Sequence, residues 1–321
     1  MKRLIYLLRK TPVTNFVFRN FIRAQLSIGN FFGKLATRFR VSGVIKLQIE
    51  GIQVNCFTKA DDFMANGIYY KIDFEESEFR LVKMLALQAN YFVEVGSYTG
   101  IFSIFTAKIN PKINVLCVEP HPNNFKRILR NIDLNDLSNI RVMQFAAGDE
   151  ARSIKFSIPK VETLSAVGSV NHIFSQAFHE VQYVDVDVAQ QTLDQLLTDV
   201  NIGQLDLIKI DVEYYELNVL KGALRTLQLC KPLLMVEIIL SERLFYYKPA
   251  MKGKINESHA MEVEALLKEF GYFPYHILKD GIYRTDSIIN SPDARNYLFA
   301  PKATQQRFIP FNDVIHYFSV V

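Results

Sequence analysis

Three ionisable residues follow a short apolar run near the middle of the chain. The octet KIDVEYYE, residues 209–216, comes directly after LDLI. Side chains alternate along an extended strand, so Lys209, Asp211 and Glu213 are predicted to share one face, about 6 to 7 Å apart. A buried lysine needs a partner, because an unpaired charge is costly inside a protein. Asp211 or Glu213 can be that partner, and a purely structural ion pair remains an equal alternative to a catalytic role for Lys209.

Carboxylates at such a strand end support two kinds of chemistry. Asp211 or Glu213 can act as a general base on a hydroxyl group, which contributes roughly 10² to 10⁴-fold to a rate. Alternatively, Asp211, Glu213 and Glu237, the acid that ends LLMVEI, can hold a divalent cation. No histidine stands at ligand spacing, so Mg²⁺ fits this set better than zinc. Both alternatives stay open at this point. Glu216 is predicted to begin a helix, where a carboxylate complements the helix dipole.

A second group of residues predicts a nucleoside-binding site. The segment EVGSYTG, residues 94–100, places Gly96 and Gly100 where the backbone can turn sharply and lie against a ligand. The pattern is G-x-x-x-G, which differs from the dinucleotide fingerprint. Glu119 ends the next strand, where an acidic side chain accepts hydrogen bonds from ribose hydroxyls. Asp149 follows the third strand, so three polar turns are expected at one edge of a sheet.

The elements that must position these residues alternate regularly. The predicted strands YFVEVG, INVLCVEP and IRVMQFAA are separated by the predicted helices TGIFSIFTAKI and NNFKRILRNIDLN. This order predicts right-handed βαβ units and a doubly wound, mostly parallel sheet with helices on both faces. Ligands of such α/β folds bind at the carboxyl ends of the strands.

The order of the motifs resembles the FkbM family of methyltransferases that use S-adenosylmethionine. The resemblance covers roughly residues 60–301 and rests on FVEVGSYTG, VLCVEPHPNN, FAAGDE, QTLDQLL, DLIKIDVEYYE, VLKGA, LLMVEI and NYLFAPK. It implies a seven-stranded class I methyltransferase (Rossmann-like) fold. It also implies transfer of a methyl group to a hydroxyl of a sugar, glycan or natural product.

The resemblance also implies a set of cofactor-binding residues. Glu94, Gly96 and Gly100 would frame the methionine and ribose part of S-adenosylmethionine, Glu119 would hold the ribose hydroxyls, and Asp149 would lie near the adenine. The neighbouring residues of the same motifs complete the set: Ser97, Tyr98, Pro120 and Ala147. The chain departs from the family at Ser97 and Tyr98, where alanine and asparagine are usual. It departs again at Tyr214, where glycine is usual.

The chain is expected to have four parts. They are a basic amphipathic helical arm (residues 1–41), a β-hairpin and helix (42–90), the FkbM-like domain (91–301) and a C-terminal tail (302–321). Residues 1–47 carry ten Lys and Arg and no Asp or Glu, although the net charge of the whole chain is only +4. The main domain is therefore acidic, which disfavours nucleic acid as a partner. The arm is expected to pack on the body or on a second subunit in a homo-oligomer, or to contact a membrane surface peripherally.

Two longer segments, residues 160–183 and 241–260, interrupt the strand and helix alternation and are expected to shape the acceptor pocket. Three isolated cysteines suggest neither a disulfide framework nor a zinc site, so a cytoplasmic location is expected. No signal peptide and no transmembrane helix is predicted. Two other functions remain as alternatives to methyl transfer: a nicotinamide-dependent oxidoreductase, and an inactive cofactor-binding scaffold tethered by the arm.

Overall fold

The N-terminal part contains the helix and the hairpin that the sequence predicts. A computed structural model describes residues 12–25, 40–72, 75–160, 170, 182–290 and 295–318. Helix α1 spans Pro12–Gln25, and strands β1 Ser42–Ile49 and β2 Ile52–Lys59 pair antiparallel. Glu50 and Gly51 connect the two strands with φ of 46° and 84°. Left-handed values at both positions suit a tight two-residue hairpin turn.

The rest of the described chain alternates strands and helices. The strands are β3 Tyr91–Val95, β4 Asn114–Val118, β5 Ile140–Met143, β6 Ala146–Ala147, β7 Arg152–Pro159, β8 Tyr183–Gln191, β9 Leu207–Ile210, β10 Leu233–Glu237, β11 Phe273–Ile277, β12 Gly281–Arg284, β13 Asn296–Ala300 and β14 Phe308–Pro310. The helices are α2 Phe63–Tyr70, α3 Glu76–Ala86, α4 Ile101–Ile109, α5 Pro122–Asp133, α6 Leu193–Asp199, α7 Glu216–Lys221, α8 Leu224–Leu229, α9 Ser241–Tyr247, α10 His259–Glu269 and α11 Val314–Tyr317.

The central sheet has nine strands in the order β14-β12-β11-β13-β10-β9-β3-β4-β5. Neighbours from β10 to β5 are parallel, whereas β13 pairs antiparallel with both β10 and β11. The α/β, Rossmann-like class that the sequence predicts is confirmed. The sheet has two strands more than the seven expected, because β12 and β14 extend one edge. Residues 302–318, expected as a tail, supply β14 and α11.

Helices cover both faces of this sheet. On one face α3 and α4 pack against the strands, and the rings of Phe79 and Phe102 stack with centroids 3.9 Å apart. On the other face residues of α6, α7 and α10 pack around Ile208 and Val236. Burying each such aromatic or aliphatic side chain contributes roughly 1.5 to 3 kcal/mol. The packing of the helices on both faces of the sheet therefore fixes the positions of the strand ends.

Two charged side chains lie on the face of the central sheet that α3 and α4 cover, at the carboxyl ends of β3 and β9. Phe92 lies on that face, and Glu94 follows two residues later on β3; Leu207 and Lys209 are related in the same way on β9. Glu94 and Lys209 are register partners on neighbouring strands. The apolar half of each strand thus fixes the position of its polar end.

The strands β6, β8 and β7, in that order, form a separate three-stranded sheet. In the part of the chain that the structure describes, no helix has the length and apolar character needed to cross a membrane.

Candidate active site

A cleft of about 760 Å³ opens at the carboxyl ends of the parallel strands. Its walls come from the exits of β3, β4, β9 and β10, from the start of α3, and from the segment before β13. The lining includes Phe63, Met64, Glu75, Glu94, Gly96, Ser97, Tyr98, Glu119, Pro120, Asn124, Ala147, Phe156, Lys209, Asp211, Glu213, Tyr215, Glu237, Arg243, Arg295 and Asn296. Candidate cofactor residues and candidate catalytic residues therefore face one space.

The turn after β3 needs its first glycine for a steric reason. Gly96 has φ 81°, and a Cβ there would lie 1.9 Å from the carbonyl oxygen of Asp211. The same two segments are joined by a hydrogen bond from the Asp211 N–H to the carbonyl of Val95, at 3.0 Å. Any side chain at residue 96 would thus separate the exits of β3 and β9. Gly100 is not among the lining residues; it has φ 75°, and a Cβ there would lie 3.0 Å from Cγ2 of Ile128.

Tyr98, a departure from the family pattern, ties this turn to the N-terminal part of the chain. Its phenol donates to the carbonyl of Asp61 at 3.0 Å, and the neighbouring Thr99 hydroxyl donates to Asp62 at 2.7 Å. Asp61 in turn forms a buried two-pronged ion pair with Arg127 of α5. The backbone of Tyr98 is left-handed, with φ 49°. These bonds hold the turn in a conformation that a non-glycine residue rarely adopts.

Glu119 lies at the end of β4 with its carboxylate buried beside the turn. One oxygen accepts the N–H of Tyr98 at 2.8 Å, and the other accepts the N–H of His121 at 2.9 Å. Burial raises the pKa of Glu119 to about 7, although these bonds favour the charged form. A carboxylate oxygen has more than one acceptor site, so Glu119 can still receive hydroxyl donors from the cleft.

His121 begins α5 and is not available as a base. Its Nδ1 accepts the N–H of Asn123 at 3.1 Å, in the position of a helix N-cap. Burial lowers the pKa of His121 to about 4, so the ring is neutral and serves the helix.

Glu94 is fixed by α4. Its Oε2 accepts the N–H of Ser103 at 3.1 Å and the Ser103 hydroxyl at 2.5 Å. Burial raises the pKa of Glu94 to about 7, and the charge of the neighbouring Lys209 acts in the opposite direction.

Lys209 and Asp211 form the ion pair that strand alternation predicts. The Lys209 Nζ donates to the Asp211 Oδ2 at 2.7 Å and lies 4.8 Å from the centroid of the Phe102 ring. Burial disfavours the charged lysine, but the carboxylates of Asp211, Glu75 and Glu94 outweigh it and raise the pKa of Lys209. Burial likewise disfavours the charged form of Asp211, and Lys209 outweighs it and lowers the pKa of Asp211. Both groups are therefore ionised at neutral pH.

Asp211, Glu213 and Glu237, the candidate ligands of a cation, all line the cleft. Burial and the charge of Asp211 raise the pKa of Glu237 well above its ordinary value, and the two side chains share a hydrogen bond. Arg295 lies 3.9 Å from Glu237. Within the described ranges, no group of three or more His, Cys, Asp or Glu residues is arranged to hold a metal ion. The Mg²⁺ alternative for Asp211, Glu213 and Glu237 therefore gains no support, and Lys209 and Arg295 are the cations beside these carboxylates.

Glu213 reaches the cleft by a turn and not by strand alternation. Strand β9 ends at Ile210, and Glu213 and Tyr214 have left-handed φ of 52° and 71°. The expected single row of Lys209, Asp211 and Glu213 is therefore wrong for its third member. Burial, together with the charge of Asp211, raises the pKa of Glu213 to about 8. The left-handed value at Tyr214 gives a physical reason for glycine at this position in the FkbM family.

Tyr214 is held in this conformation by buried contacts. Its N–H donates to Glu216 Oε1 at 3.0 Å, and its phenol donates to the carbonyl of Asn256 at 2.8 Å. The ring stacks on His259 with centroids 4.4 Å apart. The second oxygen of Glu216 lies 2.6 Å from His259 Nε2. Glu216 begins α7, as predicted, and it also joins the turn after β9 to α10.

Asp149, expected near the adenine, is not part of the cleft lining. Its Oδ1 accepts Gln190 Nε2 at 3.3 Å and Arg152 Nη2 at 3.4 Å, which hold it at the small sheet. Phe156 of β7 and Ala147 line that side of the cleft instead. Of the two segments expected to shape an acceptor pocket, residues 161–169 and 171–181 lie outside the described residues. From the other segment, Arg243 reaches the cleft.

Several lining residues have no signal in the sequence. Glu75 stands far from every strand motif, whereas Arg295 and Asn296 lie just before and at the start of NYLFAPK, the end of a strand opposite to the one where parallel strands carry their ligands. One weak signal existed: Glu75 begins the predicted helix EESEFRLVKMLALQ, where acidic residues are usually ascribed to the helix dipole.

A doubly wound sheet with a glycine turn, an acidic second strand end and a carboxylate-lined cleft defines a Rossmann-like protein of the class I methyltransferase type. The sequence model described as the methyltransferase FkbM domain matches residues 89–274. The chain belongs to the FkbM methyltransferase family.

Two curated relatives are similar over part of the chain. Methyltransferase 1 of Beauveria bassiana (strain ARSEF 2860) is 29% identical over 146 residues, which are 41% of this chain and 58% of the relative. Methyltransferase sdnD of Sordaria araneosa is 28% identical over 155 residues, 41% of this chain and 60% of the relative. The chain thus spans less than two thirds of either relative. Among solved structures, the methyltransferase FkbM from Methylobacillus flagellatus KT aligns over 75% of this chain and 55% of its own, with 16% identity and a TM-score of 0.39.

Proposed function

We propose that the protein is an S-adenosylmethionine-dependent methyltransferase that methylates a hydroxyl of a sugar, glycan or natural product. The observation that carries the proposal is that Glu119 and the Lys209–Asp211 pair line the same cleft. Glu119 provides the acceptor that a ribose requires, and the ion pair lies where a second molecule can approach. Family membership supports the transferred group, and the carboxylates support an oxygen acceptor.

The residues present fit the cofactor. The turn at Gly96 lines the cleft with main chain, and Glu119 presents carboxylate oxygens next to it. Glu119 would hold the ribose hydroxyls, and Ser97 and Tyr98 would lie along the ribose and methionine part. Ala147 and Phe156 would border the adenine. When bound, S-adenosylmethionine supplies a methyl group on a positively charged sulfur.

The protein's own groups divide the remaining work. Asp211 is ionised and fixed by Lys209, so it can accept a hydrogen bond from the acceptor hydroxyl and orient its oxygen. Glu213, with a pKa of about 8, is the stronger base of the two when ionised, and we assign it the proton of the hydroxyl. Orientation of the two reacting groups accounts for a large part of the rate in such a displacement.

Mass spectrometry of glycans and metabolites from cells with and without the gene tests the acceptor class. A product heavier by one methyl group on a hydroxyl, lost when the gene carries Asp211→Ala, is the expected result. Unchanged methylation with Asp211→Ala would remove Asp211 from the site. Methylation on nitrogen or carbon would contradict the proposed acceptor.

Neither alternative function gains support from the site. The family model describes methyltransferases, and the turn after β3 lacks the dinucleotide fingerprint, so a nicotinamide oxidoreductase is not favoured. An inactive scaffold is separated from an enzyme by the same Asp211→Ala comparison, because a scaffold has no activity to lose.

We also propose that α1 contacts an anionic membrane surface. Phe16 and Val17 of α1 are 56% and 58% exposed, whereas Ile22 is buried against the body. The segment carrying this helix has ten basic and no acidic residues over residues 1–47. Exposed apolar side chains together with basic charge are typical of peripheral helices. The wild type should sediment with phosphatidylserine vesicles, and a Phe16→Ser, Val17→Ser variant should stay in the supernatant. Equal sedimentation of the two proteins would reject the contact.

A further inference from the structure

Glu75 stands immediately before α3 in an unusual conformation. Its φ is 50°, a left-handed value, and its carbonyl accepts the N–H of Phe79 in the first turn. Short polar side chains such as those of Ser, Thr, Asp and Asn usually cap a helix at this position. Glu75 makes no such side-chain bond and instead lines the cleft.

The carboxylate of Glu75 is buried without a full set of partners. The residue as a whole is half-buried, but its Oε2 is shielded from solvent and has no hydrogen-bond partner in the described part of the chain. A buried carboxylate oxygen without a partner costs about 1 to 3 kcal/mol or more. Because this oxygen lies at the wall of the cleft, a donor group of a bound ligand could supply the missing partner.

The charges around Glu75 indicate the kind of ligand group. Lys209, Asp211, Glu78 and Glu94 act on it electrostatically, and Glu237 interacts with it from β10. Lys209 is the one cation in that set, and it already donates to Asp211; Arg295, a further cation of the lining, lies 3.9 Å from Glu237. The surroundings are therefore short of positive charge. A cationic group of a bound ligand would balance these carboxylates.

We propose that Glu75 pairs with the positively charged end of the bound cofactor, either its α-ammonium or its sulfonium group. This assignment rests on the proposed function. It adds a cofactor-binding residue at the start of α3, outside the matched residues 89–274. It also accounts for the left-handed backbone of Glu75, a strained conformation in which the side chain makes no capping bond to the helix.

Protonation provides an independent signature. Burial raises the pKa of Glu75 to about 8, so the free protein holds a proton there at neutral pH. A cation beside the carboxylate favours its ionised form. Binding of the cofactor should therefore release a proton from Glu75, and removal of this carboxyl should reduce the release.

Isothermal titration calorimetry of three ligands tests the pairing. S-adenosylmethionine carries both cationic groups, S-adenosylhomocysteine carries only the ammonium, and methylthioadenosine carries neither. Glu75→Gln is expected to weaken S-adenosylmethionine binding by about tenfold or more and to leave methylthioadenosine unchanged. Equal weakening of S-adenosylhomocysteine assigns the ammonium; an effect on S-adenosylmethionine alone assigns the sulfonium. Glu269→Gln, an exposed carboxyl on α10, is the matched control and should change nothing.

Unchanged affinity of Glu75→Gln for all three ligands, when the wild type binds them, would overturn the assignment and leave the proposed function standing. Uniform weakening of all three would also overturn it, because that result indicates a deformed site. A wild type that binds none of the three would remove the proposed function and this inference together. Titrations of the wild type in buffers of different ionisation enthalpy keep the test valid if Glu75→Gln does not fold. Binding of S-adenosylmethionine without proton release would then reject the pairing.

Discussion

Lys209 Nζ donates to Asp211 Oδ2 at 2.7 Å, and this ion pair lies at the exit of β9 with Glu94, Glu75 and Glu237 around it. Lys209 is the main counter-charge of Asp211 and keeps it ionised, while Arg295 lies 3.9 Å from Glu237. The structural and the catalytic interpretations of Lys209 are compatible, because the ion pair that fixes the position of Asp211 also keeps its carboxylate ionised and able to orient an acceptor.

Removal of Lys209 should harm both stability and activity. In Lys209→Met the buried carboxylates lose their counter-charge, so Asp211 should become protonated more easily. We expect the free energy of unfolding to fall by about 3 kcal/mol and kcat to fall by about 10²-fold. Denaturant unfolding and initial rates measure the two effects. Lys155→Met, which breaks an exposed pair with Asp187, is the control and should shift stability by less than about 1 kcal/mol. A comparable loss in the control would contradict the assigned role.

The rate of methyl transfer should depend on the ionisation of Glu213. Only the ionised carboxylate accepts a proton, so kcat should rise with pH through about 8, the pKa of Glu213. Glu213→Gln should lower kcat by about 10² to 10⁴-fold and flatten the profile. The pH–rate profile is measured with the acceptor identified by mass spectrometry. An unchanged pH–rate profile in the variant would show that a group other than Glu213 is the base.

The free protein should lose stability as pH rises. Burial raises the pKa of Glu94 and Glu119 to about 7 and that of Glu75 and Glu213 to about 8, from an ordinary 4.5. These carboxyls bind protons more tightly in the folded than in the unfolded chain. The free energy of unfolding therefore decreases as pH rises from about 4.5 to about 8.

Melting temperatures measured without ligand at about pH 5.5 and about pH 8.5 check this, with an expected decrease of at least about 4 °C. Glu213→Gln should show a smaller decrease than the wild type, because it lacks one of the titrating groups. A melting temperature that rises over the same range would contradict the raised pKa values.

Tyr214 should stabilise the fold through its hydroxyl. Tyr214→Phe keeps the ring stacked on His259 but removes the bonds to Ser241 and to the Asn256 carbonyl. We expect a loss of about 1 to 3 kcal/mol in the free energy of unfolding, because buried polar groups lose their partner. Thermal or denaturant unfolding measures it. Tyr246→Phe, on a side chain that is 81% exposed, is the control. Equal stability of Tyr214→Phe and the wild type would show that these bonds contribute nothing.

Strand alternation made part of the site predictable. Glu94 and Lys209 each follow an apolar residue by two positions on a buried strand, and Glu119 and Asp211 come directly after the ends of β4 and β9, so their common edge follows from local periodicity. The glycine at residue 96 was predictable as a turn residue. Its particular reason, the carbonyl of Asp211 against its α-carbon, depends on the pairing of β3 with β9.

The remaining features depend on interactions that local sequence does not encode. Glu213 leaves the strand row because β9 ends at Ile210 and Glu213 and Tyr214 both take left-handed conformations, in a turn that Glu216 and His259 stabilise from α7 and α10. Asp149 follows the third strand as predicted, but it is not among the lining residues, and its side chain bonds to Arg152 and Gln190. Both deviations come from side-chain bonds that form only after the chain has folded.

Calorimetric titration of S-adenosylhomocysteine into the wild type and Glu119→Ala tests the central claim most directly. The buried carboxylate of Glu119 is assigned to the ribose, so its removal should weaken binding by about tenfold or more. The account predicts saturable binding with one site per chain for the wild type and this loss for the variant, with both proteins folded. No heat of binding for the folded wild type at concentrations of roughly hundreds of micromolar would contradict it.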